Sequence, residues 1–366
     1  MAAGIVTADR SDTRPNPRLT AHSRRRGRLW IVGLTAVAVV SVVMSIGIGP
    51  ADISPATALR ILAHHLGLSV DPDWTPAQES IVWRLRVPRV LLAVGVGAGL
   101  AVCGAALQAM VRNVLADPYV LGISSGASTG AAGAILFGYA AGAGQYALPF
   151  GAFVGALAAS LLVFALARAN GRVTSIRLLL SGIAVGYALS AATSFLIFAS
   201  DDPEGSRSVM FWMLGSLTLA HWDAILATVL VVVALTTLLA RIWAPRLDAL
   251  TAGDETAFAL GVRPDTVRLQ LLLVVSLCTG VSVAAAGAIG FVGLVVPHLG
   301  RRIVGAAHAR LVPVCALLGA ILLIWADALG RVVMQPRELP IGIITAMVGA
   351  PFLVILIRRM TVSHAR

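Results

Sequence analysis

Long apolar runs, separated by short polar stretches, follow one another from Leu29 almost to the end of the chain. Each run is close to the ~20 residues that an α-helix needs to cross a hydrocarbon core of ~30 Å. Six of them lie before residue 247, at about 29–48, 90–111, 118–140, 147–167, 178–199 and 223–243, and two more lie near the end, at about 311–330 and 339–357. The pattern predicts an all-α integral membrane protein.

The run from Leu269 to Gly300 differs from the others in length. It contains 32 residues without Asp, Glu or Arg. A single helix of that length would reach about 48 Å, which is too long for one span, whereas two full spans need more residues. Residues that interrupt helices lie inside it: Gly280, Gly287, Gly290, Gly293 and Pro297. We therefore predict one full helix followed by a short half-helix, which makes about ten membrane segments in all.

A charged segment, Leu247 to Arg268, lies between the sixth span and this long run. It carries four of the 17 acidic residues of the chain, together with residues that favour helices. Because six spans precede it, the segment returns to the side of the membrane on which the chain starts. A short amphipathic segment at that surface is expected to contact another protein.

Basic residues lie mainly in the short loops and at the two ends of the chain. The net charge is +11, and all 28 basic residues are Arg. The predicted topology places 21 of them on the side of the N-terminus and 7 on the other side, so the positive-inside rule puts both termini in the cytoplasm. Residues 1–28 contain seven Arg without an apolar pattern and are predicted to be a disordered cytoplasmic tail. No continuous soluble face is left for nucleic acid.

The absence of Lys limits the chemistry that the chain can perform. A Walker A phosphate loop and a Schiff-base enzyme both need the amine of a lysine. If the protein uses ATP, another chain must bind the nucleotide and its Mg²⁺. The three cysteines, Cys103, Cys278 and Cys315, lie inside apolar runs without metal-type spacing and are interpreted as packing residues. We predict neither a metal site nor a bound cofactor.

Polar clusters at the ends of the spans allow two interpretations each. Arg112 to Pro118, with the Gly and Ser residues after it, is typical of a tight turn with close helix packing. Arg84, Arg86 and Arg89 lie where positive charge is otherwise scarce. They favour either an acidic partner outside the cell or side chains that reach lipid headgroups. Asp201 to Gly205 favours a solvated turn over a cation site.

A series of motifs carries a resemblance to a known family. In chain order they are RVPR (86–89), Gln108, RNVLADP (112–118), LGISSGA (121–127), RLLLSGIAVG (177–186), WMLGSL (212–217), GDETAFALGV (253–262), GAIGFVGLVVPHLGRR (287–302), ADALGR (326–331) and ELPIGIITAMVGAPFL (338–353). Over about residues 30–360 the chain resembles the FecCD-type permeases of ABC importers, which move ferric siderophores, haem or cobalamin.

The resemblance gives the charged segment a role. In such permeases the cytoplasmic loop after the sixth helix forms two short coupling helices that contact the ATPase, and residues 247–262 match that segment. It implies ATPase-coupling residues at six positions: Gly253, Asp254, Glu255, Ala257, Leu260 and Gly261. Their chemistry is suitable, because Gly253 allows a sharp turn and the two acidic residues after it favour the start of a second helix.

The resemblance also implies functional residues at both faces of the membrane. Three outer-face arginines match positions that dock an extracytoplasmic substrate-binding protein: Arg86, Arg89 and Arg331. The cytoplasmic gate of the family matches four positions: Asn113, Leu115, Thr174 and Ser175. Two positions depart from the family pattern. Val114 stands where the loop usually has Pro, and Ala307 stands where an acidic residue usually precedes the ninth helix.

The function predicted in this way is that of a transmembrane permease subunit of an ATP-driven importer in a bacterial inner membrane, with a ferric siderophore as its substrate. Haem and cobalamin are alternative substrates. The implied partners are a separate ATP-binding subunit, a substrate-binding protein and a second permease copy or a paralogue, and the chain itself is not an enzyme. An ion-driven transporter would need ionisable groups at mid-membrane. A membrane-embedded enzyme would need paired carboxylates, a metal cluster or an activated nucleophile.

Overall fold

The computed structural model describes residues 17–51, 53–139, 141–169 and 172–364, and this part of the chain is almost entirely helical. Its α-helices, in chain order, are α1 (Pro17–Gly47), α2 (Pro55–His65), α3 (Pro76–Glu79), α4 (Val87–Val111), α5 (Ile123–Phe137), α6 (Ala147–Ala167), α7 (Ser175–Phe198), α8 (Pro203–Met213), α9 (Ala224–Ile242), α10 (Ala244–Thr251), α11 (Asp254–Ala259), α12 (Pro264–Ala286), α13 (Val292–Val304), α14 (His308–Val332) and α15 (Ile341–His364). A π-helical segment, Ser80–Arg86, joins α3 to α4. Two short strands, β1 (Arg168–Ala169) and β2 (Arg172–Val173), pair antiparallel between α6 and α7.

The membrane-spanning segments lie where the apolar runs placed them. Within the described ranges, seven helical segments are long and apolar enough to cross a membrane: Gly27–Gly47, Pro76–Val111, Gly142–Ala167, Ser175–Phe198, Ala224–Ile242, Pro264–Ala286 and His308–Val332. Two shorter apolar helices, Ile123–Phe137 and Ile341–Leu356, occupy the third and the last predicted spans. With the 13-residue α13, these make ten segments. The predicted all-α membrane architecture is confirmed.

The long apolar run is broken into a full helix and a half-helix, as predicted. α12 ends at Ala286, and α13 begins at Val292 after five intervening residues. Gly287 and Phe291, at the two ends of the break, both have a φ of 68°. Such a left-handed backbone is rare for a residue with a large side chain. The ring of Phe291 packs against Gly349 of α15, where a Cβ would overlap it, so packing against α15 holds the break in place.

The first helix extends further towards the N-terminus than predicted. α1 starts at Pro17, so residues 17–28, which the sequence assigned to a disordered tail, are helical. Residues 1–16 of that predicted tail lie outside the described residues. The stretch between residues 19 and 26 contains neither Gly nor Pro, and Arg favours helices. Its polarity, which was the reason for predicting disorder, does not oppose a helix that continues from an adjoining span.

Three short helices that were not predicted lie on the membrane face opposite α10 and α11. α2 and α3 fold the loop between α1 and α4, and α8 folds the loop between α7 and α9. Each begins with a Pro that follows a capping Ser, Thr or Asp, which is a helix start signal. Asp202, which had been assigned to a solvated turn, accepts a hydrogen bond from the backbone N–H of Glu204 at 3.1 Å and caps α8.

α4 is the central helix of the bundle. Nearly all of its residues are buried, and it packs against α9, α12, α13 and α14. Gly97 lies against Gly319 of α14, and Gly104 lies against Gly293 of α13; a Cβ on Gly97 or Gly104 would overlap a backbone carbonyl oxygen of the facing glycine. Small residues of this kind let membrane helices approach closely. α4 therefore connects the two faces of the membrane as one continuous, closely packed helix.

Candidate functional site

Two short helices, α10 and α11, fold the loop between α9 and α12 into a compact surface. Gly253 joins them with a φ of 113°, a conformation that L-residues rarely adopt. Ala257 is buried, whereas Phe258 is 59% exposed and Leu260 is 66% exposed. The prediction of two short helices that meet at Gly253 is confirmed, and α10 begins three residues before the predicted segment, at Ala244. Contact between this surface and an ATPase stays a prediction.

Asp254, the first residue of α11, forms a bidentate ion pair with Arg268 of α12. Nη1 of Arg268 donates to Oδ2 of Asp254 at 3.0 Å, and Nη2 donates to Oδ1 at 2.7 Å. The hydrogen bond from Arg268 lowers the pKa of Asp254 against the opposing effect of burial. Arg268 is only 2% exposed, while the Asp254 side chain is 39% exposed. The pair therefore joins an exposed acidic residue of α11 to the interior of the bundle.

The same guanidinium group reaches the predicted gate residue Ser175 and the end of α4. Nη2 of Arg268 donates to Oγ of Ser175 at 3.2 Å, and Nε donates to the carbonyl oxygen of Met110 at 3.4 Å. The Ser175 hydroxyl donates in turn to the same carbonyl at 3.3 Å. Met110 lies in the last turn of α4, and Ser175 is the first residue of α7. Asp254 and Ser175, predicted for different roles, are thus bridged by one residue that the sequence analysis left without a role.

The sequence contained a signal for Arg268 that was not used. Val267, Arg268, Leu271 and Leu272 are all buried on one face of α12. Their spacing is that of an apolar stripe on a helix, so an Arg at the second position marks a cation that faces the core. A buried cation must be paired, and this requirement could have directed attention to the acidic residues of the neighbouring charged segment.

The loop that follows α4 is closed by Asn113. Arg112 ends α4 with a φ of 52°, and the side-chain oxygen of Asn113 then accepts a hydrogen bond from the backbone N–H of Leu115 at 2.9 Å. An Asx turn of this kind sets the path of the backbone through a side chain. The loop therefore forms a defined turn although Val114 stands in place of the usual Pro. The predicted gate residues Asn113 and Leu115 both belong to this turn.

The remaining predicted gate residue, Thr174, is placed differently from Ser175. Thr174 precedes α7 with an extended backbone, is exposed, and makes no capping hydrogen bond through its side chain. Ser175 is directed to the end of α4 instead. The structure thus brings Asn113, Leu115 and Ser175 to one end of α4 and leaves Thr174 at the surface. Their role as a gate stays a prediction.

Gln108 fastens this loop to the half-helix α13. Its side-chain Nε2 donates to the carbonyl oxygens of Ala116 and Gly293, both at 3.2 Å, and its Oε1 accepts a hydrogen bond from Arg301. Buried amide groups are stable only when they are hydrogen-bonded, and here both ends of the amide are satisfied. Gln108 belonged to the motif series without a stated role, and it connects α4, the loop after it and α13.

α10 is tied to the start of α14 through Asp248. Its Oδ1 accepts a hydrogen bond from the backbone N–H of His308 at 3.0 Å and lies 2.6 Å from Nδ1 of the His308 ring. Burial raises the pKa of Asp248, but the contacts with His308 outweigh burial, and the pKa lies below its usual value. The ionised carboxylate therefore stabilises the fold above the usual carboxyl pKa, and this stabilisation is lost as the pH falls through the lowered pKa. The pair lies beside Ala307, one of the departures from the family pattern.

We expect Asp248→Asn to speed up amide hydrogen exchange in α10 by a factor of about 5 at neutral pH. The amide oxygen can still accept the hydrogen bond from the His308 backbone, and the difference between a charged and a neutral acceptor is about 1 kcal/mol. Glu255→Gln, which neutralises an exposed carboxylate on α11, is the matched control and should leave exchange in α10 unchanged. Mass spectrometry of the purified protein measures both. Equal exchange in Asp248→Asn and the wild-type protein would contradict the assignment.

On the opposite face of the membrane, two of the predicted docking arginines cap the end of α1. Arg86 donates to the carbonyl oxygens of Ile46 at 2.7 Å and of Ala51 at 2.8 Å. Arg331 donates to the carbonyl oxygen of Ile48 at 2.6 Å. The last carbonyl groups of a helix have no partner within the helix, and these two side chains supply it.

The third arginine belongs to a charged cluster beside these caps. Arg89 pairs with Asp327 of α14 and with Glu338, both at 2.9 Å, and Asp327 also pairs with Arg331 at 3.2 Å. Arg86 and Arg331 are 6% and 3% exposed. Their hydrogen bonds are directed into the protein, to the residues at the end of α1. The reason is the set of unpaired carbonyl groups at the end of α1, which the sequence pattern does not display. Docking of a substrate-binding protein at these arginines stays a prediction.

The chain is similar to known membrane permeases along most of its length. The sequence profile of the FecCD transport family matches residues 37–359. The chain is 42% identical over 301 residues to the hemin transport system permease protein HmuU of Yersinia pestis, which covers 80% of this chain and 89% of that protein. It is 38% identical over 309 residues to the Fe(3+) dicitrate transport system permease protein FecD of Escherichia coli, with 82% and 94% of the two chains covered.

One further relative is named for a different substrate, and another similar protein has a solved structure. The cobalamin import system permease protein BtuC of Halobacterium salinarum is 44% identical over 281 residues, covering 76% of this chain and 74% of that protein. A solved structure described as an inward-facing conformation of a metal-chelate type ABC transporter superimposes with a TM-score of 0.78 at 32% identity, covering 90% of this chain and 98% of the other.

Proposed function

The chain belongs to the FecCD transport family, and from this premise we propose that it is the transmembrane permease subunit of an ATP-driven importer whose substrate is a ferric siderophore. Relatives named as permeases for hemin, ferric dicitrate and cobalamin support import of a large metal chelate. A separate subunit binds ATP and Mg²⁺, and the permease moves the chelate without breaking a bond in it. Both termini and the α10–α11 surface lie in the cytoplasm.

One observation carries this proposal: the α10–α11 surface is exposed on one side and tied to the gate region on the other. Phe258 is directed outwards, where an ATPase groove would accept an apolar side chain. Asp254 is connected through Arg268 to Ser175 and to the end of α4. Such a surface suits a permease that an ATPase moves and that opens or closes a transport pathway in response.

The opposite face supports docking of a substrate-binding protein, with roles for its arginines that differ from those predicted from the sequence. Arg86, Arg89 and Arg331 hold the outer ends of α1, α4 and α14 together, and the exposed cations next to them are Arg84 and Arg337. In the proposed arrangement, the buried arginines hold the docking surface in shape. The exposed Arg84 and Arg337 contact acidic side chains of the binding protein. Exposed charges of this kind raise the rate of association.

Reconstitution in proteoliposomes with the ATP-binding subunit and the substrate-binding protein tests the proposed function. We expect uptake of radioactive iron from a ferric siderophore with ATP and none with a non-hydrolysable analogue. Haemin and cobalamin are offered to the same vesicles, and faster uptake of either would move the substrate assignment to that compound. Uptake that survives ATP depletion but stops when the proton gradient is collapsed would reject the ATP-driven mechanism.

We expect Phe258→Asp to weaken association with the ATP-binding subunit about 30-fold, because an apolar anchor at the centre of an interface contributes about 2 kcal/mol or more. Co-purification and a binding titration with the detergent-solubilised permease measure the change. Leu66→Asp, an equally drastic change at an exposed apolar residue on the opposite face, is the control and should bind normally. Normal binding by Phe258→Asp would show that the ATPase contacts another surface.

A further inference from the structure

We propose that Arg268 is a positioning residue of the transport cycle, which carries displacement of α11 to the ends of α4 and α7. The inference rests on the proposed function, because it assumes that an ATPase moves α11. It adds a residue that lies outside the coupling segment and outside the gate. The guanidinium of Arg268 is the point at which these two parts of the protein meet.

The contacts of Arg268 involve four helices at once. Arg268 itself belongs to α12, its carboxylate partner Asp254 belongs to α11, and its other partners are Ser175 of α7 and the Met110 carbonyl of α4. An Arg side chain has five N–H donors in a fixed planar fork. Because one planar group contacts Asp254, Ser175 and Met110, a shift of any one of them changes the geometry of the other two contacts.

The form of the Asp254 contact allows it to transmit both position and orientation. Two parallel N–H···O bonds, at 3.0 and 2.7 Å, join the carboxylate to the guanidinium. A bidentate pair fixes the angle between its two groups as well as their distance, which a single hydrogen bond or a lysine does not. When α11 moves, Asp254 must therefore move Arg268 with it or lose two charge-assisted bonds.

The gate side of the contact is suited to receive this displacement. The Ser175 hydroxyl accepts a hydrogen bond from Arg268 and donates one to the Met110 carbonyl, so α7 and α4 share the cation. Thr174, just before Ser175, is exposed and has an extended backbone with a ψ of 150°, so α7 begins at the residue that contacts Arg268. Arg112, the residue that turns the loop after α4, lies close to Gly253, and its charge also lowers the pKa of Asp254.

The test measures ATP hydrolysed per chelate transported, in proteoliposomes that contain the whole complex. We expect Arg268→Met to raise this ratio about tenfold, with the complex still assembled and still hydrolysing ATP, because movement of the ATPase no longer reaches the gate. Arg263→Met removes an exposed cation from the turn before α12 and should keep the ratio of the wild-type complex. A role confined to stability would reduce the amount of assembled complex and leave the ratio per assembled complex unchanged.

Two milder variants keep the inference testable if Arg268→Met does not assemble. Arg268→Lys retains the charge next to Asp254 but loses the fork, and Ser175→Ala removes the shared hydroxyl without touching the ion pair. Both are expected to assemble and to raise the ratio by a smaller factor, about threefold. A wild-type ratio in these variants, or in an assembled Arg268→Met complex, would overturn the inference. Absence of ATP-driven uptake by the wild-type complex would reject the proposed function instead, and so the two failures are distinguishable.

Discussion

Asp327→Ala is expected to lower the free energy of unfolding by about 3–5 kcal/mol, as removal of one partner from a buried ion pair does in other proteins. Asp327 is buried in α14 and pairs with Arg89 at 2.9 Å and with Arg331 at 3.2 Å. Without this carboxylate, two cations remain close together inside the protein. Unfolding of the purified protein in detergent, followed against temperature or denaturant, measures the loss.

Asp73→Ala is the matched control for this prediction. Asp73 also pairs with an arginine, Arg60, but both side chains are exposed to about half of their area. Exposed ion pairs contribute about 1 kcal/mol or less, so this variant should unfold close to the wild-type midpoint. If Asp327→Ala and Asp73→Ala proved equally stable, the buried cluster could not be what holds the N-terminal end of α4 and the C-terminal end of α14 together.

Gly104→Ala is expected to destabilise the protein by about 3 kcal/mol, although the added group is a single methyl. Gly104 of α4 faces the backbone of Gly293 in α13, and a Cβ there would overlap the facing carbonyl oxygen. That neighbour is backbone and cannot rotate away, so the two helices must separate. Separation would also break the hydrogen bond from Gln108 to the Gly293 carbonyl. A lower yield of monodisperse protein and a lower unfolding midpoint are the expected readouts.

Gly33→Ala is the comparison for this second prediction. Gly33 lies in the middle of α1, and a Cβ there meets no other heavy atom within 4 Å. Since Ala favours a helix more than Gly does by about 1 kcal/mol, this variant should be as stable as the wild type or slightly more stable. Destabilisation of similar size at both positions would mean that any side chain at a membrane glycine is harmful, and the specific contact of α4 with α13 would lose its support.

The spans and their order could be predicted from the sequence because each rests on a local property. An apolar run of about 20 residues dictates a membrane helix wherever it occurs. The half-helix was predictable for the same reason, since the run that contains Gly287 and Pro297 was too long for one span and too short for two. Gly253 indicates a turn because it lies in a polar stretch between two short helix-favouring segments, outside the apolar runs.

The contacts that define the site could not be predicted in this way, because they join residues far apart in the chain. Arg268 and Met110 are separated by 158 positions, and Asp248 and His308 by 60. Arg86 was visible as a cation near a membrane boundary, but its partners are carbonyl groups of α1, and backbone groups leave no mark on composition. The sequence indicated which residues were unusual, and only the packing of the helices assigns their partners.

The arginine caps on α1 have a consequence for the biosynthesis of the protein. Arg86 follows the Ile46 carbonyl by 40 residues, whereas Arg331 follows the Ile48 carbonyl by 283. At about 5–20 residues per second, the ribosome needs some tens of seconds to deliver the second cap. Until then, the carbonyl groups at the C-terminal end of α1 lack one of their two arginine partners. In the nascent chain, lipid headgroups, water or an insertion chaperone therefore has to bind these carbonyl groups. Once α14 is complete, Arg331 joins the end of α1 to the last third of the protein.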